Sequence, residues 1–257
     1  VSTETPVLTV DYAHVRVVTL NRPAARNALD RALVEAAYAA FTEADAEGSV
    51  RAVVLTGTDP AFCAGVDLRE AQRHGAEYFS IFESHNCVAA TASMRTPIIG
   101  AINGAVFTGG LEMALGCDFL IASERAVFAD THIRVGILPG GGMTARLPLL
   151  VGPAIARRMS MTGEVIGATR AERIGLVTEV VPHEQLMDRA LELARQIADV
   201  PERTMLGLKE LYSTGAATVI NPALAAEQRI GQAYVGGFDN IEDPLRAVTE
   251  RNKSQLT

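Results

Sequence analysis

Residues 97–118 read Pro97-Ile-Ile-Gly-Ala-Ile-Asn-Gly-Ala-Val-Phe-Thr-Gly-Gly-Leu-Glu-Met-Ala-Leu-Gly-Cys-Asp118. A proline punctuates the start, and residues 98–102 form an apolar run of strand length. Residues 104–110 are rich in glycine, and a helix is expected over about 109–117. The apolar passage as a whole reaches Ser123, but Asn103, Thr108, Glu112 and Asp118 interrupt it. A membrane span needs roughly 20 residues with few or no charges, so this passage is expected to lie buried in a folded core.

Outward from it, strand and helix signals alternate. Residues 7–12 and 15–20 are β-rich runs joined by a short turn, which predicts a hairpin. Asp30 is a suitable N-cap for a helix over about 31–47, whose Leu33, Ala37, Ala40, Phe41 and Ala44 recur at helical spacing, and Gly48 closes it. A buried strand is expected at 51–56, one long amphipathic helix at 75–94, and strands near 118–122 and 126–129. Residues 136–142 are turn formers. Beyond residue 144 the pattern is mainly helical, with one strand candidate at 177–181 and helix starts expected at Pro201 and Pro222. The fold class predicted is α/β, with a core over 1–198 and a helical C-terminal region over 199–257.

Composition narrows the function classes. Lys and Arg total 23 against 30 Asp and Glu, a formal charge of −7. That balance argues against nucleic acid as a general partner, because phosphate binding needs clustered cations. A small basic patch for one phosphorylated ligand remains compatible with it. Cys63, Cys87 and Cys117 are odd in number and widely spaced, so neither a disulfide framework nor a zinc site is expected, and a reducing, cytoplasmic setting is. The opening Val1-Ser-Thr-Glu-Thr-Pro6 lacks the basic and apolar regions of a signal peptide. His14, His74, His85 and His183 show no metal spacing, and Cys63 has no activating base nearby in sequence. Residues 136–142 carry no following Lys-Ser/Thr, so they are not a phosphate loop, and neither a clean GxGxxG nor a GxSxG is present.

The order of the segments is more informative than any one of them. Asn21-Arg-Pro with Arg26-Asn-Ala-Leu29, then Ala61-Phe-Cys-Ala-Gly-Val-Asp-Leu68, Pro97–Gly104, Gly109–Asp118, Gly136-Ile-Leu-Pro-Gly-Gly-Gly142 and Ala171-Glu-Arg-Ile-Gly-Leu-Val177 follow one another. Together they resemble the enoyl-CoA hydratase/isomerase (crotonase) superfamily over nearly the whole chain. The resemblance implies a spiral of β-β-α turns built on two roughly perpendicular sheets. It further implies a C-terminal helical region supporting a homotrimer or dimer of trimers, an acyl-CoA thioester ligand and a place in fatty acid metabolism. No metal or redox cofactor is implied, CoA being part of the substrate, and neither a nucleic acid nor a membrane partner is expected. Glu242–Val248 resembles the family's final helix, and Lys253 is a possible CoA phosphate contact.

By that resemblance, the amides of Val66 and Gly109 form an oxyanion hole for a thioester enolate. Preorganised N–H groups in a dry site stabilise such charge by several kcal/mol, and a helix opening at Gly109 would add its dipole. Glu112 fits dipole compensation in a first helical turn equally well on local grounds. The resemblance assigns it to the water-activating glutamate. The second catalytic glutamate of hydratases falls at His132, within Ala129-Asp-Thr-His-Ile-Arg134. An imidazole can supply acid/base chemistry but not a second carboxylate, and Asp130 would orient it if the segment were extended. A register slip would place Thr131 or Ile133 there instead. Arg26, Ala64 and Asp67 fall along the expected CoA path. The expected activity is hydration of a trans-2-enoyl-CoA. The alternatives are another acyl-CoA reaction of this fold (hydrolase, isomerase or C–C lyase) or an acyl-CoA-binding protein without catalysis.

Overall fold

The computed structural model describes residues 5–234; the Glu242–Val248 segment and Lys253 lie outside them. The chain opens with the expected hairpin, β1 (Val7–Tyr12) and β2 (Val15–Leu20), in antiparallel register from Val7 opposite Leu20 to Tyr12 opposite Val15. Helix α1 (Arg31–Ala46) follows. Its Asp30 carboxylate accepts from the Leu33 amide, and it buries Leu33, Val34, Ala37, Ala40, Phe41 and Ala44 along one face. This is the stripe and cap read from the sequence.

A repeat then begins. Strand β3 (Ala52–Gly57) is followed by the short β4 (Ala61–Cys63), β5 (Ile98–Ile102) by β6 (Ala105–Phe107), and β7 (Phe119–Ser123) by β8 (Val127–Ala129). The first strand of each pair enters one sheet and the second enters another. The larger sheet runs β1-β2-β3-β5-β7-β10 and the smaller β4-β6-β8-β9, where β9 is Ile166–Gly167 and β10 is Glu179–Val181. From β2 to β10 the large sheet is parallel. Between pairs lie helices, including α6 (Gly109–Ala114) after the second. This is the spiral of β-β-α turns that the resemblance implied. Of the smaller sheet the sequence marked β8, near 126–129, while β4, β6 and β9, of two or three residues, are too short to show a period of two.

Strand β5 occupies the middle of the large sheet and is buried throughout, as expected of a parallel strand covered on both faces. Ile98 and Ile102 face the main core, with Phe41, Phe62, Leu111 and Phe128. Ile99 and Ala101 face the other side, where helix α10 (Leu186–Ala198) lays Leu186, Ala190, Ala194 and Ala198 across the sheet. Gly100 sits against the Leu120 side chain, where a Cβ would clash.

Two expectations are corrected. The helix expected over 75–94 is three short helices, α3 (Ala76–Phe79), α4 (Ile81–Ser84) and α5 (Cys87–Ser93), and a fourth, α2 (Leu68–His74), precedes them. Gly75 at φ +55 ends α2, and Asn86 starts α5 by accepting from the Ala89 amide. Pro222, expected to begin a helix, lies inside α11 (Glu202–Ala233). That helix is fastened on both sides of the proline: Lys209 donates to Thr96 O and Asp118, and Glu227 is buried against the core. The ring therefore interrupts one hydrogen bond without ending the helix. The preceding turns are α7 (Met143–Val151), α8 (Pro153–Thr162) and α9 (Ala168–Arg173). Among the described residues no helix is long and apolar enough to cross a membrane.

Candidate active site

Three of the motif segments converge where β4, β6 and β8 end. The segment after β4 passes close to Leu29: the Leu29 amide donates to Gly65 O at 2.8 Å, and Leu29 O accepts from Asp67 at 3.2 Å. These two bonds use the groups on either side of Val66, so the Val66 N–H points the other way. Gly65 has φ +88, and its Cα lies against Thr108, where a Cβ would strike the threonine hydroxyl. Only glycine allows this approach.

Gly109 opens α6 immediately beyond. A Cβ built on it would lie 4.0 Å from the Val66 nitrogen, so the two amides are neighbours. The first N–H groups of a helix have no partner within it. Among the described residues neither Val66 nor Gly109 donates an amide hydrogen bond. The helix expected over 109–117 ends at Ala114, too short for much macrodipole, so the local N–H groups carry any anion stabilisation. Thr108, just before, holds φ 48 and ψ −119. A β-branched residue at positive φ is strained. Its amide donates to Ala129 O at 3.1 Å, which ties α6 to the end of β8.

Glu112, one turn into α6, is only 4% exposed. Its Oε1 accepts from the amides of Gly141 at 2.8 Å and Met143 at 3.2 Å. Its Oε2 faces His132 Nε2 at 3.7 Å. On the other side of the ring, His132 Nδ1 meets Asp130 Oδ1 at 2.7 Å. A carboxylate, an imidazole and a second carboxylate thus lie in line, all buried. The segment is not extended as expected: β8 ends at Ala129, and His132–Arg134 is a turn of 3-10 helix. Asp130 still orients the imidazole, because its carboxylate also accepts from the His132 amide at 3.3 Å. Thr131 and Ile133 are not the residues paired with Glu112.

Burial raises the Glu112 pKa above the ordinary glutamate value; the His132 charge opposes this and the Glu227 charge adds to it. For His132 burial works against the charged ring, but the Asp130 hydrogen bond and the charges of Glu112 and Asp130 outweigh it, so its pKa is raised. Asp130 is held below the usual carboxylate range: burial opposes ionisation, and the His132 hydrogen bond and charge overcome it. A base of raised pKa beside an acid of raised pKa is suited to passing protons to and from a bound substrate.

The residues assigned to the CoA path sit at the rim. Arg26 is exposed, in the left-handed conformation (φ 52), and its carbonyl accepts from the Ala64 amide at 3.0 Å. The Asp67 carboxylate is already engaged. It caps α2 through the amides of Arg69 and Glu70 and pairs with Arg22 at 3.2 Å. Cys63 is fully buried, and burial pushes its thiol up to about 12, so it is no nucleophile.

Sequence reading missed several participants. Gly141 was seen only as a turn former and Met143 was not singled out, yet their amides hold Glu112. Arg146, half-buried, donates to Gly141 O at 2.9 Å and is coupled electrostatically to Glu112 and Glu227. Glu227 is remote in sequence, and a single Glu on a long helix carries no local signal.

Comparison with known proteins gives the family. The family model for enoyl-CoA hydratase/isomerase matches residues 11–256. The chain is 35% identical to a probable enoyl-CoA hydratase of Rhizobium meliloti over 251 residues, 95% of each protein. It is 39% identical to the mitochondrial enoyl-CoA hydratase of Pongo abelii over 244 residues, 94% of this chain and 83% of that protein. The crystal structure of an enoyl-CoA hydratase from Mycobacterium tuberculosis superimposes with a TM-score of 0.81 at 43% identity, covering 89% of this chain and 98% of that one. With these matches spanning nearly the whole chain and its fold, the chain belongs to the enoyl-CoA hydratase/isomerase family.

Proposed function

We propose that this protein adds water across the double bond of a trans-2-enoyl-CoA. The observation that carries the proposal is the Glu112–His132 pair, buried and 3.7 Å apart, with Glu112 on the helix that Gly109 opens beside Val66 and His132 on the 3-10 turn after β8. In this reading the thioester oxygen accepts from the Val66 and Gly109 amides. Glu112 takes a proton from water as the water oxygen bonds to Cβ, and the displaced electron pair becomes the enolate. Protonated His132 then gives its proton to Cα, and the enolate collapses back to the thioester. The proton on Glu112 returns to His132 and the pair is reset. One donor of the hole is worth about 3–4 kcal/mol of barrier, and a positioned base about 10²–10⁴ in rate.

The same reading places the CoA moiety along the Arg26–Ala64–Asp67 rim. Asp67, its carboxylate engaged, contributes backbone and shape rather than charge. The proposed chemistry uses no metal or redox cofactor. The apolar side chains that α11 leaves exposed, Leu208, Leu211, Val219 and Ile230, support a homotrimer or dimer of trimers. The free thiols support a reducing compartment such as the cytoplasm. The test is the loss of conjugated-thioester absorbance with crotonyl-CoA and a longer trans-2-enoyl-CoA, for wild type, Glu112→Gln and His132→Ala. Robust turnover that collapses in both variants is expected. Acyl-CoA binding without turnover would overturn hydration in favour of another reaction of this fold or a binding role.

A further inference from the structure

The N-terminus of α7 receives two carboxylates from two different parts of the chain. Glu112 takes the amides of Gly141 and Met143, and Glu227 takes those of Gly142 at 2.7 Å and Thr144 at 3.0 Å, together with the Thr144 hydroxyl. The donors alternate along four consecutive residues, so neither carboxylate can shift without moving the segment that holds the other. Glu227 is 8% exposed, in contrast to most of α11. Gly142, between the two, has φ +105 and no room for a side chain beside Arg146. The Arg146 guanidinium completes the group by donating to Gly141 O.

We propose that Glu227 is a positioning residue for the reaction: from the C-terminal helix it fixes the Gly141–Thr144 amides and thereby holds the Glu112 carboxylate with Oε2 toward His132. This inference rests on the reading of Glu112 as the base. It makes the site dependent on α11: the fold of residues 5–198 contains Glu112 and His132, but the segment that orients Glu112 is secured only when α11 docks. The charged groups around Glu112 are His132 from the turn after β8, Arg146 from α7 and Glu227 from α11, with Asp130 behind His132. Of these, Glu227 acts on Glu112 both through the segment whose alternate amides the two carboxylates hold and as a like charge.

The test uses the full chain with Glu227→Gln and Glu227→Asp. Turnover of crotonyl-CoA, binding of the unreactive butyryl-CoA and thermal melting are measured together. Glu112 is titrated directly by infrared difference spectroscopy, each protein against its Glu112→Gln counterpart. For Glu227→Gln, kcat is expected to fall about 10–100-fold, the scale of a small misplacement of a catalytic group. KM and butyryl-CoA affinity are expected to stay within about threefold. The Glu112 band should titrate at lower pH, because a neighbouring negative charge is gone. Glu227→Asp keeps the charge but shortens the reach, so its Glu112 titration should stay near wild type while kcat still falls. A drop in melting temperature with unchanged kcat and an unchanged Glu112 titration would make Glu227 a stability cap only and overturn the proposal. Should wild type fail to hydrate crotonyl-CoA, the hydratase reading falls, and the Glu112 carboxylate stretching band in Glu227→Asp, which keeps the charge, decides the role of Glu227: a moved band shows altered hydrogen bonding of Glu112 and supports it, and an unmoved band overturns it.

Discussion

Gly141→Ala tests the geometry of the base with a single methyl group. Gly141 does not use the left-handed region, so alanine meets no backbone penalty there. The obstacle is spatial: the new Cβ would lie 2.7 Å from Glu112 Oε2, 2.7 Å from Val88 Cγ1 and 2.9 Å from Glu112 Cδ. Ordinary contact begins near 3.4 Å, so about 0.7 Å must be found. Val88 is buried in the main core and gives little. The carboxylate must therefore swing, straining its bonds from Gly141 at 2.8 Å and Met143 at 3.2 Å. A misplacement of this order costs up to about 10²-fold in rate, equivalent to about 2.7 kcal/mol of barrier. Overpacking takes about 1–3 kcal/mol of stability, partly offset by about 0.4–1 kcal/mol from the reduced freedom of the unfolded chain. The assay is steady-state hydration of crotonyl-CoA alongside urea denaturation. Gly140→Ala is the internal control, because a Cβ there meets nothing within 4 Å; its kcat should stay within about twofold of wild type. Wild-type kcat in Gly141→Ala would refute the argument that Glu112 is confined there and acts as the base.

Four further outcomes are expected. The pH profile of kcat/KM should be bell-shaped: activity falls as pH drops through the raised Glu112 pKa, since the base must be ionised, and falls as pH rises through the raised His132 pKa, since the acid must be protonated. Asp130→Asn removes the negative charge that raises His132 and leaves only a neutral hydrogen-bond acceptor, so its alkaline limb should move to lower pH; an unmoved limb would detach His132 from the acid role. Gly65→Ala demands φ +88 from alanine and drives a Cβ onto Thr108 and to 2.9 Å from Phe107 O. The expected cost is about 2–4 kcal/mol by chemical denaturation, with kcat reduced as the Val66 amide is displaced, and wild-type stability would contradict the close approach. Finally, burial pushes all three thiols up, Cys63 to about 12, so a colorimetric disulfide reagent should titrate none of them in the folded protein on the scale of minutes and all three in denaturant. A fast-reacting native thiol would reopen the case for a cysteine nucleophile.

Much of the fold could be read along the chain because its signals are local. The α1 stripe and the Asp30 cap depend on residues three to four apart, and the β1–β2 hairpin and the buried β5 declare themselves by composition. The three-residue strands β4 and β6 escape such reading, as does the breakage of residues 68–93 into four helices. Their ends are set by Gly75 at φ +55 and by an Asn86 cap, whereas the apolar pattern runs on through them.

The site divides in the same way. By itself the sequence determined which chemistry-bearing residues are present and in what order: the glycines around Val66 and Gly109, a glutamate three residues after Gly109, and a histidine at position 132. Tertiary structure alone decided that Asp130 grips His132 from a 3-10 turn, that Asp67 is taken up by α2 and Arg22, and that Glu227 comes back from residue 227 to share the amides of α7 with Glu112. The physical reason is range. Capping, periodicity and glycine turns act within a few residues and leave a pattern in the chain. A carboxylate's partners and its pKa are fixed by whatever packing brings within hydrogen-bond reach, across 85 residues in the Gly142–Glu227 bond.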